Sequence, residues 1–189
     1  MVRAEVSAYF LGALLLLTLP LNWLLAAVAA AAFHELCHIL AVLLSGGRIL
    51  GVRIGVGGAV IETSPMTRGR ELVCSLAGPV GSLLLVLACR RFPRLAICGF
   101  LQGVFNLLPV FPLDGGRVLR CGVQLIAPRW ADRISTWVEN GTLGTLCALG
   151  VAGTVWWNLG LLPLLMALLL GIKAVMRKRP CKYRRFGVQ

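Results

Sequence analysis

Between Val6 and Gly47 the chain carries a single charged side chain, Glu35, in a run of otherwise apolar and small residues. A helix needs about 20 apolar residues to cross the hydrocarbon of a bilayer, with a range of roughly 17 to 25. The run is too long for one crossing and fits two, broken near Pro20, Leu21 and Asn22. Whatever else this chain folds into must therefore be compatible with lipid. Hydrophobic residues fill 58% of the 189 positions and charged ones 14%, which is far from the balance of a soluble domain. No small-residue cleavage site or polar boundary separates the first apolar segment from the second, so it is expected to stay as an anchor.

Further apolar segments at about 71–89, 95–113 (continuing irregularly to about 126), 136–155 and 159–176 predict an all-α polytopic membrane protein of about six transmembrane helices. One domain is expected over residues 1–176, followed by a basic cytoplasmic tail over 177–189. The net charge of +12 does not point to nucleic acid, because the basic residues fall between apolar spans and in the tail, with no soluble domain to gather them into a binding face. Their distribution instead sets the topology. Sixteen lysines and arginines lie on the N-terminal side, against Arg90, Arg91 and Arg94 on the other, which predicts a multi-pass membrane protein with both termini in the cytoplasm. The cationic tail suits the anionic headgroups of the lipid bilayer. Seven scattered cysteines, without a CxxC pair, read as small buried hydrophobes rather than a disulfide framework.

Between the second and third spans, residues 46–67 alternate in part: Ile49, Val52, Ile54 and Val56, then Gly57 and Gly58, then Val60 and Ile61. Two glycines between β-branched runs predict a short β-hairpin at the membrane interface.

Glu35 belongs to His34-Glu35-Leu36-Cys37-His38, which holds both histidines of the chain. On a helix, positions i and i+4 share a face, so two neutral imidazoles can reach one metal ion while Glu35, one residue round, can act on the attacking water. Two histidines and a glutamate in hydrocarbon are costly, by roughly 2.5 to 3.5 kcal/mol for a central charge, so packing does not account for them. Catalytic zinc usually takes three protein ligands. With no histidine left, the third must be a carboxylate or a cysteine. Of the seven acidic residues only Glu35 and Asp114 fall in or against apolar segments away from boundary loops. Asp114 follows Pro109 and Pro112 and precedes Gly115 and Gly116, a stretch that cannot remain regular helix. Irregular backbone at membrane depth is tolerated where it lines protein or a watery cavity, so a broken helix presenting a carboxylate suits a metal site. Taken alone, Asp114 also reads as a turn residue before two glycines.

The HExxH on an early span, Ser75-Leu76-Ala77-Gly78-Pro79 on the third, and the later Asn-x-x-Pro-x-x-Pro-Leu-Asp-Gly-Gly-Arg over residues 106–117 together resemble the site-2 protease family of intramembrane zinc metalloproteases. The likeness spans roughly residues 20–125, and within the family it is greatest to the bacterial group that trims a membrane-tethered pro-sigma factor in sporulation. The resemblance implies one Zn2+ per chain held by His34, His38 and Asp114, with Glu35 as catalytic base. It implies that Asn106, Pro109 and Pro112 shape the substrate site. The partners it implies are transmembrane or membrane-tethered substrates, cleaved in regulated intramembrane proteolysis of a pro-sigma or anti-sigma factor, and it allows for inhibitory membrane proteins. Cys37 stands where the family usually has glycine, and is read as a packing variant. Two other readings compete: a divalent-metal transporter, which would spread polar residues along a path, and an inactive protease-like scaffold, which commonly loses the glutamate that is intact here.

Overall fold

The computed structural model describes residues 2–4, 20–55, 58–155 and 168. The expected first span, near 8–20, and the last, 159–176, lie outside the described residues apart from single positions. Two compact units divide the chain, Met1–Glu139 and Asn140–Gln189.

Helix α1 (Leu21–Leu44) opens directly after Pro20 and carries the HExxH segment along 24 residues, about 36 Å at 1.5 Å per residue. It stops at Gly46, whose φ of +73° is the left-handed conformation that glycine adopts without steric penalty. There the Gly47 and Gly46 N–H groups donate to the Val42 and Leu43 carbonyls, closing the helix end in a Schellman motif.

A three-stranded sheet follows. Strand β1 (Val2–Ala4) runs parallel to β2 (Ile49–Gly55), and β2 pairs antiparallel with β3 (Gly58–Thr63). The antiparallel register sets Val52 opposite Ile61, Ile54 opposite Ala59 and Gly55 opposite Gly58, with an irregularity between Ile49 and Gly51. Gly58 thus lies within a strand rather than in the turn where the sequence suggested it, and residues 56 and 57 lie outside the described residues. The order β1-β2-β3 puts β2 in the middle. The N-terminal strand was not anticipated, because three residues are too few for a period-2 pattern to register.

Helix α2 (Arg68–Leu84) continues as a short 3-10 turn to Ala88 and contains Pro79. Helix α3 (Pro93–Asn106) starts with proline at its first position, where the missing N–H costs nothing. The apolar stretch from 95 onward then breaks: after Asn106 comes a seven-residue link, and α4 (Asp114–Ile126) begins at the aspartate itself. Helix α5 (Ala131–Val155) starts five residues before the apolar segment expected there. Among the described residues, α1 and the Arg68–Ala88 segment are long and apolar enough to cross a membrane.

Helix α2 is central, packing against α1, α3 and α4. What it buries is small: Cys74, Ser75, Gly78, Pro79, Gly81 and Ser82. Against it α3 presents Gly99 and Gly103, spaced four apart. A Cβ at Gly99 would stand 2.8 Å from Leu85 Cδ1 and 2.9 Å from the Ser82 carbonyl oxygen. Close backbone approach through small residues is how helices associate where lipid removes the hydrophobic drive. The large apolar side chains of α1, including Leu21, Leu25, Leu36, Leu40 and Leu43, point outward instead.

Candidate metal centre

One helical turn separates His34 from His38, and both imidazoles leave α1 toward α2 and α4. His34 is 2% exposed and Asp114 9%. Each Nε2 lies 3.1 Å from Asp114 Oδ2, and the two Nε2 atoms are 3.2 Å apart. Tetrahedral donors on bonds of about 2.0 Å stand about 3.3 Å from one another, so this triangle has the size that zinc requires.

The outer nitrogens explain why these atoms face each other. His38 Nδ1 donates to the Cys74 carbonyl oxygen at 2.7 Å, which leaves its Nε2 as a bare lone pair. His34 Nδ1 is 2.8 Å from Ser82 Oγ, and Ser82 is completely buried. With that nitrogen donating to the hydroxyl, three electron-pair donors converge on one point, an arrangement a cation satisfies. Both anchors come from α2, so one helix fixes the tautomer and ring plane of both imidazoles.

Sequence alone named the three residues that converge but missed these supports. Within Ser75-Leu76-Ala77-Gly78-Pro79, Pro79 cannot donate to the Ser75 carbonyl and so removes one ladder bond next to Cys74, within a helix that otherwise runs on. Gly78 lies against the donor edge of His38: a Cβ there would overlap the ring at Nε2 and stand 2.6 Å from Cε1 and 2.7 Å from Cδ2. A Gly78→Ala variant is accordingly expected to fold but to hold zinc about 10- to 100-fold more weakly, the usual effect of disturbing a group that orients a ligand. Metal content after dialysis against a graded chelator measures this, and wild-type retention would show that the ring does not need the space.

Asp114 reaches the site through a tight contact of backbone with backbone. A Cβ at Gly115 would overlap the Leu107 carbonyl, and one at Gly116 would stand 2.7 Å from Phe111 N. The two glycines let the first turn of α4 sit against the link, with Val110 fully buried beneath it. At the first turn of a helix, a carboxylate is also favoured by the N-terminal end of the dipole.

The remaining candidates are placed differently. Glu35 is half-buried, next to His34 on α1 and within Coulombic range of both histidines, Asp114 and Arg117. Cys37 turns to α2, where its sulfur fills the space beside Gly81, and it is not among the converging donors. Asn106 ends α3 with Nδ2 donating to the Gln102 carbonyl at 3.1 Å. Pro109 and Pro112 lie within the link between α3 and α4. Among the described residues, His34, His38 and Asp114 form the group of three that could hold a metal ion.

No protein-family model matches the chain. It is similar to a zinc metalloprotease of Methanocaldococcus jannaschii, 31% identical over 101 residues, covering 46% of this chain and 30% of that protein. A provisionally named zinc metalloprotease of Synechocystis is 32% identical over 108 residues, covering 49% and 28%. The chain thus spans about three-tenths of the length of these relatives. Its fold is that of a solved site-2 protease from Methanocaldococcus jannaschii, with a TM-score of 0.66 and 17% identity over 99% of this chain and 94% of the other. Sequence and fold thus both bear out the likeness drawn from the motifs, and the donor set fits zinc.

Proposed function

We propose that this chain is an intramembrane zinc metalloendopeptidase of the site-2 type, acting on membrane-embedded or membrane-tethered proteins. The observation that carries the proposal is the anchored pair of imidazoles converging with Asp114, with Glu35 at the neighbouring helix position. His34, His38 and Asp114 would hold the ion, which when bound supplies the Lewis acidity that activates water and polarises a scissile carbonyl. Glu35 takes the proton from the attacking water and passes it to the leaving amine. Asn106 would release its bond to Gln102 to hold the substrate backbone, with the bend through Pro109 and Pro112 shaping the cleft. The competing transporter reading gains no support, since the donors gather at one point.

Six spans with both termini in the cytoplasm place this chemistry toward the cytoplasmic side, in a single domain over residues 1–176. Regulated intramembrane proteolysis of a pro-sigma or anti-sigma factor is the process that fits a bacterial protease of this kind. Zinc content of the detergent-purified protein, with cleavage of a co-expressed single-span precursor, tests the proposal. Stoichiometric, slowly exchanging zinc with cleavage supports it; fast-exchanging metal without cleavage would favour transport.

A substrate helix hides its carbonyls in its own hydrogen bonds, so it must unwind before hydrolysis. Strand β2 begins five residues beyond the end of α1, and β3 forms one edge of the sheet, with β1 on the other side of β2. An unwound segment added along β3 would have its backbone satisfied while extended. Ile54, opposite Ala4 on one side and Ala59 on the other, lies inside the sheet, so the sharper test is proline at Val60 or Ile61. Successive residues of a strand direct their N–H groups to opposite sides, so one of these two removes a donor from the free edge. That variant should keep its zinc and cleave a helical substrate roughly three- to ten-fold more slowly, the worth of about one hydrogen bond. A substrate already loosened by glycine or proline should lose less; equal losses on both would exclude strand addition here.

A further inference from the structure

The seven residues between α3 and α4 decide where Asp114 stands, and their backbone donors can be followed one by one. Pro109 and Pro112 have none. The N–H groups of Leu107, Leu108, Val110 and Leu113 donate to the carbonyls of Gly103, Phe105, Leu108 and Val110, all within the link or the helix end before it. Phe111 differs: its N–H donates 3.1 Å to Oε1 of Glu139, 28 residues onward on α5. By sequence Glu139 counts among the acids of boundary loops. It lies instead nine residues into a helix, in the same compact unit as the metal centre.

The Phe111 amide also packs under α4, where a Cβ on Gly116 would stand 2.7 Å from it. A tether on that amide acts three residues from Asp114 and on the surface against which the first turn of α4 rests. We propose that Glu139 is a positioning residue: by holding the Phe111 amide from α5, it fixes the link that sets Asp114 at its distance from the two imidazoles. The proposal rests on the reading of His34, His38 and Asp114 as zinc ligands.

The test compares Glu139→Ala, which removes the acceptor, with Glu139→Gln, which keeps a carbonyl oxygen there, using zinc affinity by chelator competition and amide hydrogen exchange over residues 105–113. The alanine variant is expected to bind zinc 10- to 100-fold more weakly and to exchange faster in that segment, with the glutamine variant close to wild type in both. Wild-type affinity and exchange in Glu139→Ala would overturn the proposal. So would a glutamine variant as weak as the alanine one, since charge rather than the hydrogen bond would then matter. Asp114→Ala measured alongside separates the two readings: if it loses zinc while Glu139→Ala behaves as wild type, the tether alone fails. If Asp114→Ala itself keeps full zinc, the ligand reading fails and the tether proposal with it.

Discussion

Replacing Glu35 by glutamine is expected to lower cleavage of a co-expressed single-span substrate by about 10²- to 10⁴-fold, the usual contribution of a positioned general acid–base, while leaving zinc content at one equivalent. The two effects separate because Glu35 lies beside the donor triangle and not in it: the three donor atoms come from His34, His38 and Asp114. Glutamine keeps the size of the side chain and its place on α1, but it cannot take a proton from water or return one to an amine. Cleavage at the wild-type rate by a zinc-loaded Glu35→Gln protein would remove the residue from the mechanism.

Asp114→Ala should lose metal and activity together. The carboxylate oxygen is the apex shared by both 3.1 Å contacts, and without it two imidazoles remain where a catalytic site ordinarily uses three protein ligands. His34→Ala and His38→Ala should match it. Helix content by circular dichroism should stay near wild type in all three, because each side chain is replaced by one that helices favour or tolerate. A full equivalent of zinc in Asp114→Ala would require another third ligand, and Cys37, whose sulfur is packed against Gly81, would have to leave α2 to serve.

How much of this was legible beforehand follows from the range of each interaction. The i, i+4 histidines announce themselves because helical periodicity is local. Asp114 stood out because two prolines and two glycines around an acid in apolar surroundings are a local anomaly as well. The supports are a different matter. Ser82 and the Cys74 carbonyl lie 48 and 36 residues from the imidazoles they hold, and nothing in HExxH says which helix stands behind it. Gly78 and Pro79 gave a hint, since a glycine and a proline inside a helix suit close approach, but not what approaches. Glu139 was hidden by the opposite error: it lies near the polar start of α5, where acids are commonplace. The sheet was half visible, with β2 and β3 alternating enough to be read and β1 too short.

The interior around α2 is lined by glycine, serine, cysteine and alanine, while leucine and phenylalanine face outward. Alanine scanning rests on the assumption that alanine is the smaller residue, and in this molecule that assumption reverses at the positions that matter most. Along the outward face of α1 a scan would trim leucines that are about half exposed among the described residues, with a small expected effect on packing. At Gly78, Gly99 and Gly115 the same methyl group is an insertion, pressing on an imidazole, a leucine or a carbonyl. A map of tolerance drawn from this chain would therefore look like that of a water-soluble domain turned inside out, with enlargement rather than truncation as the damaging change.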